Sequence, residues 1–287
     1  MKIFIGIGVV IVSVLIGYTA SGGHLSVLWQ PFEFLIIIGS SVGAFIIGNP
    51  REVLGKVSMS LKQAARGESY KKEDYVELLT MLFTIIKFAK NKGMLALESH
   101  IDNPQASPLF NQFPKFLENE RATMFLCDYF RMLTMGSDNP HQMDDIMTEE
   151  IETYHNELHQ VVVAFQNMAD GMPAMGIVAA VLGVIHTMGS ISQPPEILGK
   201  LIGGALVGTF AGVLLAYGLV GPLSNCIQGV FDSKVKYFDC LRLAILAYLN
   251  GYAPLIAVEY ARKTIDESCR PTFSELEQAI ASVEGAS

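Results

Sequence analysis

His155 and His159 bracket Glu157 in the run His-Asn-Glu-Leu-His, which sets two imidazoles at i and i+4 on one helical face, a spacing that metal sites use. The order is not the His-Glu-x-x-His of zinc peptidases. Neither a third ligand nor a base in the required position accompanies it, so the run reads as a polar helix face. The chain has no Gly-x-Ser-x-Gly, no phosphate-binding glycine loop and no dinucleotide fingerprint; it carries no enzyme signature and calls for no cofactor or metal. Cys127, Cys226, Cys240 and Cys269 are scattered without paired spacing and read as buried free thiols. A different chemistry is suggested by four residues set inside apolar runs: Thr209, Tyr217 two turns further on, Pro173 and Pro222. Together they would line a polar path beside a hinge; the competing reading satisfies the Thr209 hydroxyl on its own i−4 carbonyl. Segments 171–195 and 201–231 contain no Asp, Glu, Lys or Arg, and their one side chain of the usual relay set is His186. An ion relay across a bilayer normally needs a titrating group. Either these segments conduct nothing, or a partner helix brings the carboxylate. Glu33, at the edge of another apolar run, reads as an interfacial residue.

Membrane helices must position these residues. Of the 287 residues 51% are hydrophobic and 17% charged, a balance that argues against both disorder and a wholly water-soluble enzyme. The net charge of −8 removes the basic footprint of a protein that binds nucleic acid or coats an anionic bilayer. No charged residue occurs from Ile3 to Phe32 or from Phe34 to Pro50, which places one span at about residues 3–20 and a second at about 30–49. The first is read as a retained anchor, because it is long and no small-x-small cleavage site precedes a soluble domain. Spans three and four lie in 171–195 and 201–231, separated by the turn Gln193-Pro194-Pro195-Glu196. The loop at 21–29 has no Lys or Arg and the loop at 190–200 has only Lys200, so the excess of positive charge puts both termini and the long insert in the cytoplasm. The expected fold is an all-α integral membrane protein. Residues 1–49 carry spans one and two, 50–170 a cytoplasmic helical domain, 171–223 spans three and four, and 224–287 a cytoplasmic helical tail.

In the insert, Val76, Leu79, Phe83 and Ile86 form an apolar stripe on a helix expected at about 74–90, which Gly93 interrupts. A second helix is expected over 143–168, acidic in its early turns and running toward span three. After span four, helices are expected over 232–250, 255–265 and 272–283, with a break at Pro254. In the spans, Gly204, Gly208, Gly212 and Ala216 recur at intervals of four, as do Gly176 with Ala180 and Ala179 with Gly183. Such small-x-x-x-small patterns allow close helix packing in lipid, within the chain or between chains. Pro173 enters the membrane on span three and Pro222 leaves on span four, which suggests two prolines at similar depth acting as a hinge. Taken singly, each proline has a bland reading, as a first helical turn for Pro173 and a helix stop for Pro222.

The stretches GMPAMGIVAAVLGVIHTMGS (171–190), GTFAGVLLAYGLVGPL (208–223), LNGYAPLIAVEYARKTI (249–265) and RPTFSELE (270–277), with the order of two spans, insert, two spans and tail, resemble the flagellar stator subunits of the MotA family over about residues 1–280. The resemblance implies a proton-channel-type subunit of the bacterial inner membrane, with five copies ringed around two single-span, peptidoglycan-binding partners of the MotB type. It explains the missing carboxylate, since in that family the partner's transmembrane Asp titrates. It carries the family's two functional prolines onto Pro173 and Pro222 and its pore hydroxyl onto Thr209. The charges that face the rotor switch protein FliG fall on Lys90, Glu98 and Glu150, which the bland reading calls solvated surface. Lys90 stands where the family usually has arginine, keeping the charge but losing the bidentate fork. Sodium-driven relatives carry a threonine where this chain has Ala180. An alanine offers no oxygen to a hard cation, so the implied ion is a proton rather than sodium. An energiser of the ExbB or TolQ kind is an alternative, opposed by the count of four spans. A non-conducting membrane scaffold is a third, in which glycines and prolines only pack helices.

Overall fold

The computed structural model describes residues 2–67 and 70–284. Its helices are α1 (Lys2–Ala20), α2 (Leu25–Leu28), α3 (Pro31–Gly48), α4 (Arg51–Arg66), α5 (Lys72–Lys92), α6 (Met94–Asp102), α7 (Pro114–Glu118), α8 (Glu120–Thr134), α9 (Pro140–Met188), α10 (Pro195–Leu215), α11 (Gly221–Leu249), α12 (Pro254–Lys263) and α13 (Phe273–Glu284). A short 3₁₀ turn lies at Pro104–Ala106 and a π-helical turn at Ala216–Val220. Among the described residues there is no β-strand. Four helical stretches are long and apolar enough to cross a membrane: Lys2–Ala20, Leu25–Gly48, and parts of Pro140–Met188 and Pro195–Leu249.

The chain forms two compact units, Met1–Glu68 with Glu157–Phe231, and Ser69–Asn156 with Asp232–Ser287. Helices α9 and α11 each contribute a segment to both. Two expected boundaries move as a result. Span three is the C-terminal part of a 49-residue helix rather than a separate element, and Pro173 lies deep inside that helix rather than in a first turn. The helix that carries span four starts at Pro195, before the uncharged segment 201–231, and passes through the π turn into α11, so the helix expected from 232 has no start of its own. Both helices run on through the glycines near these junctions, Gly171 and Gly229, and a helix continues until something stops it.

In the first unit α1 buries none of its side chains within the chain, as befits a helix facing lipid or another subunit. Helix α4 is amphipathic and turns Val53, Ser60 and Ala64 inward. Val53 and Ala64 join Val161, Phe165, Ile227 and Phe231 in one cluster, and Gly67, at φ +67°, closes the helix in the left-handed conformation that glycine tolerates.

The second unit is built around α5. The expected stripe underestimates its burial: Val76 and Phe83 are only half-buried, whereas Tyr75, Leu78, Leu79, Met81, Leu82, Ile85, Ile86 and Ala89 are all buried. Helices α6, α7, α12 and α13 pack around it, so it is covered on several sides, and an all-round apolar helix belongs in a core. Gly93, at φ +84°, ends α5 as expected. Arg262 is buried on α12 and donates to Glu259 at 2.6 and 2.5 Å and to the Pro271 carbonyl at 2.8 Å. At α13, the Thr272 N–H donates to Glu275 at 2.6 Å while the Glu275 N–H donates to Thr272 Oγ1 at 3.2 Å, a reciprocal cap that the sequence Thr-Phe-Ser-Glu encodes. The cysteines are free thiols; Cys127 and Cys240 are buried, Cys226 and Cys269 half-buried.

Candidate functional site: a glycine seam flanked by Ala180 and Thr209

Spans three and four meet backbone to backbone. A Cβ added to Gly176 would lie 2.8 Å from the Gly208 carbonyl oxygen, and one added to Gly212 would lie 2.9 Å from Gly176 Cα and from the Met172 carbonyl oxygen. Gly208 touches Ala179 and Ala180, and Gly183 touches Ala205. The small residues are therefore used within the chain, and each is required by a partner that cannot rotate away. Gly204 departs from the pattern: a Cβ added there would lie 3.0 Å from the Gln30 amide rather than against span three.

This register fixes the level of every site residue. Gly176 opposite Gly208 and Gly212, with the Ser224 hydroxyl donating to the Val162 carbonyl at 3.0 Å, puts Pro173 level with about residue 213 and Pro222 level with about residue 164, given about 1.5 Å of rise per residue. The two prolines are thus staggered by about 13 Å along the helix axes rather than lying at one depth. The expected coincidence set both prolines at the cytoplasmic ends of spans bounded at 171 and 223, and α9 and α11 run past those bounds without a break. Each proline still loosens its helix. Pro173 has no N–H, which leaves the carbonyl of buried Ala169 without its i+4 donor. Just before Pro222 the ladder slips to i→i+5, the Gly221 N–H donating to the Ala216 carbonyl. Single π turns of this kind mark functional points in helices.

Ala180 and Thr209 are both half-buried and flank the Gly208 contact. The Thr209 hydroxyl makes no hydrogen bond to any described residue, whereas Thr80, Thr84 and Thr187 each donate to their own i−4 carbonyl at 2.8 Å. The self-satisfied reading of Thr209 is thereby set aside, and its hydroxyl is available to something outside the chain. Tyr217 sits in the π turn and is 62% exposed. Pro222 is exposed and Pro173 half-buried.

The three charges expected to face a rotor lie on three helices of the second unit. Lys90, in the last turn of α5, donates to the carbonyls of Gly251 at 3.1 Å and Tyr252 at 3.0 Å, fastening the turn that follows α11. Glu98 is exposed on α6 and makes no hydrogen bond or ion pair to a described residue. Glu150 on α9 accepts from the Tyr129 hydroxyl at 2.8 Å; burial, followed by this carboxylate, raises the phenol above its ordinary range. Lys90 and Glu150 therefore have structural bonds that sequence alone did not reveal. His159 is paired with Gln228 at 3.1 Å.

Apolar spans packed backbone to backbone, with four stretches long enough to cross a membrane among the described residues, define the class of multi-pass helical membrane protein. Residues 4–93 match the family described as Motility protein A N-terminal, and residues 118–239 the MotA/TolQ/ExbB proton channel family. Motility protein A of Salmonella typhimurium is 40% identical over 283 residues, 99% of this chain and 96% of that protein. The chemotaxis protein LafT of Vibrio parahaemolyticus is 36% identical over 285 residues, covering 99% and 100%. The chain belongs to the motility protein A family of flagellar stator subunits. A flagellar MotAB stator complex from Bacillus subtilis has a chain that superimposes with a TM-score of 0.72 at 26% identity, covering 89% of this chain and 92% of that one. A chain of C. jejuni MotAB, at 19% identity and a TM-score of 0.77, covers 94% and 98% and shares the fold.

Proposed function

We propose that this chain is the membrane-embedded, ion-path subunit of a proton-driven flagellar stator in the bacterial inner membrane, with both termini in the cytoplasm. Five copies surround two single-span, peptidoglycan-binding partners of the MotB type, and the cytoplasmic helices push on the rotor protein FliG through Lys90, Glu98 and Glu150. The observation that carries the reading is the Thr209 hydroxyl, left without an intramolecular partner beside Ala180 in two spans that contain no carboxylate. A path so built can guide an ion but cannot titrate, so the titrating carboxylate belongs to another chain. The solved B. subtilis complex, named as MotAB, supports a partner of that kind. Protonation of the partner's carboxylate removes a charge that costs about 2.5–3.5 kcal/mol near mid-membrane, enough to bias a two-state packing. Pro173 and the π turn before Pro222 give spans three and four two staggered points at which to yield. Ala180 supplies no oxygen for sodium, which favours the proton.

The test is complementation of a paralysed, stator-deleted strain with this gene and its neighbouring single-span partner gene, scored with and without sodium. Swimming that persists without sodium and stops with a protonophore is expected; sodium-dependent swimming refutes the ion assignment, and no swimming despite stable expression of both proteins refutes the stator reading. Thr209→Val, similar in size, should assemble and lose torque. Charge reversal at Glu98 should weaken torque and be partly rescued by a reversal on the rotor.

A further inference from the structure

A second polar feature lies at the other end of the spans. A cavity of about 600 Å³ opens between α3, α9 and α10, and its polar lining is Gln30, Glu33, His186 and Lys200. Two glycines make room for it. The position where Gly183 would carry a Cβ is 3.5 Å from Glu33 Oε1, and that of Gly204 is 3.0 Å from the Gln30 amide, so larger residues at either site would press on these groups. The Gln30 amide is held by donation to the Val27 carbonyl at 3.2 Å. Glu33 is half-buried and makes no hydrogen bond or ion pair to any described residue. His186 lies one turn beyond Gly183 on α9, and Lys200 one turn before Gly204 on α10, both exposed and both on the side of the connecting turn at 189–194. The space far exceeds the about 10–15 Å³ that one water needs, and four polar side chains on an otherwise apolar wall give water its partners there.

From this arrangement we propose that Glu33 and His186 form a proton-collecting site at the outer mouth of the ion path, a role that rests on the stator reading above. The ionisable groups facing the cavity are Glu33 from α3, His186 from α9 and Lys200 from α10. Imidazole is the side chain that exchanges protons near neutral pH, and a carboxylate without a bound donor accepts them. In the step, the imidazolium N–H bond of His186 breaks, a water carries the proton, and an O–H bond forms on Glu33; that O–H bond then breaks as the proton passes to water on the way to the partner's carboxylate, which restores the carboxylate, and the neutral imidazole takes the next proton from outside. Sodium finds one carboxylate and one amide in this cavity, where it needs several oxygens.

A positioned proton acceptor matters most where bulk protons are scarce, and each pH unit changes their supply about tenfold. The experiment is swimming speed of the complemented strain at external pH of about 6 and about 8 for wild type, Glu33→Gln, Glu33→Asp and His186→Gln, with membrane level and co-purification of the partner measured for each. Glu33→Gln should be about threefold slower than wild type at the higher pH, with the deficit shrinking to less than about 1.5-fold at the lower pH, where bulk protons replace the collector. Glu33→Asp should restore most of the lost speed. The same fold-loss at both pH values, or no loss at either, overturns the inference. If Glu33→Gln fails to accumulate, exposed His186 decides the matter by the same pH-graded criterion. Failure of the wild-type chain itself to restore swimming is a different result, and it overturns the stator reading.

Discussion

Replacing Gly176 by alanine tests whether the seam between spans three and four is as tight as its geometry requires. The new methyl would lie 2.8 Å from the Gly208 carbonyl oxygen and 3.1 Å from Gly212 Cα, all of it backbone. To reach an ordinary contact the helices must part by about 0.6 Å, and a gap of that size forfeits about a quarter to a half of the dispersion energy of neighbouring contacts. Overpacking of this kind costs about 1–3 kcal/mol, and the higher helix propensity of alanine returns about 1 kcal/mol, for a net loss of up to about 2 kcal/mol. Gly199→Ala is the matched control, since a methyl there meets nothing within 4 Å and only the propensity gain remains. Purified with its partner in detergent, the Gly176→Ala protein should melt about 4–8 °C below the Gly199→Ala protein, taking a difference of about 2 kcal/mol at about 2–4 °C each. Equal shifts in the two variants would refute the register, and with it the stagger of the two prolines.

Four further outcomes follow from the same geometry. Arg262→Ala should destabilise the second unit by about 3 kcal/mol, because it strands Glu259 and the Pro271 carbonyl around a buried site; chemical denaturation of the purified protein measures this. Lys90→Ala should free the Gly251–Tyr252 turn and raise its local hydrogen exchange by less than about tenfold, and Lys90→Arg should raise it less, since a cation there can still reach the carbonyls. Glu275 is held down to about 2 by Lys72 and by the Thr272 cap. Its folded value lies below the free value of about 4.3, so its contribution is complete above that pH and is lost as pH falls toward 2. Protease sensitivity of α13 should rise across that window in wild type and be constant in Glu275→Gln. Tyr129→Phe should cost about 1 kcal/mol of stability through the lost bond to Glu150 without abolishing torque if Glu150 meets the rotor by charge, which paired melting and swimming assays separate.

Much of this protein is determined by local pattern. Four apolar runs of span length, the sparse basic residues in two short loops and the charged insert specify a four-span helical membrane protein, because hydropathy and charge act residue by residue against a fixed solvent. The end of α5 at Gly93 and the helix expected over 272–283, seen as α13, were equally legible, being matters of a few adjacent backbone groups. Helix α4 is encoded by the spacing of three and four residues between Val53, Val57, Leu61 and Ala64.

What required the tertiary structure is everything set by which residue faces which. Pattern alone could not tell that Gly208 and Gly212 receive span three while Gly204 receives Gln30, since one helix offers its glycines on a single stripe and only the neighbours divide it. The staggering of Pro173 and Pro222 depends on helices that run on past the uncharged segments, and continuity is a cooperative property of the backbone ladder. Lys90 looked like a free surface charge until the 251–252 turn came beside it, and Glu33 looked interfacial until Gly183 and Gly204 were seen to clear a cavity around it and Gln30. In each case the partner is remote in sequence. Its identity is written in the packing of whole helices, where contacts of a few tenths of an ångström decide what fits.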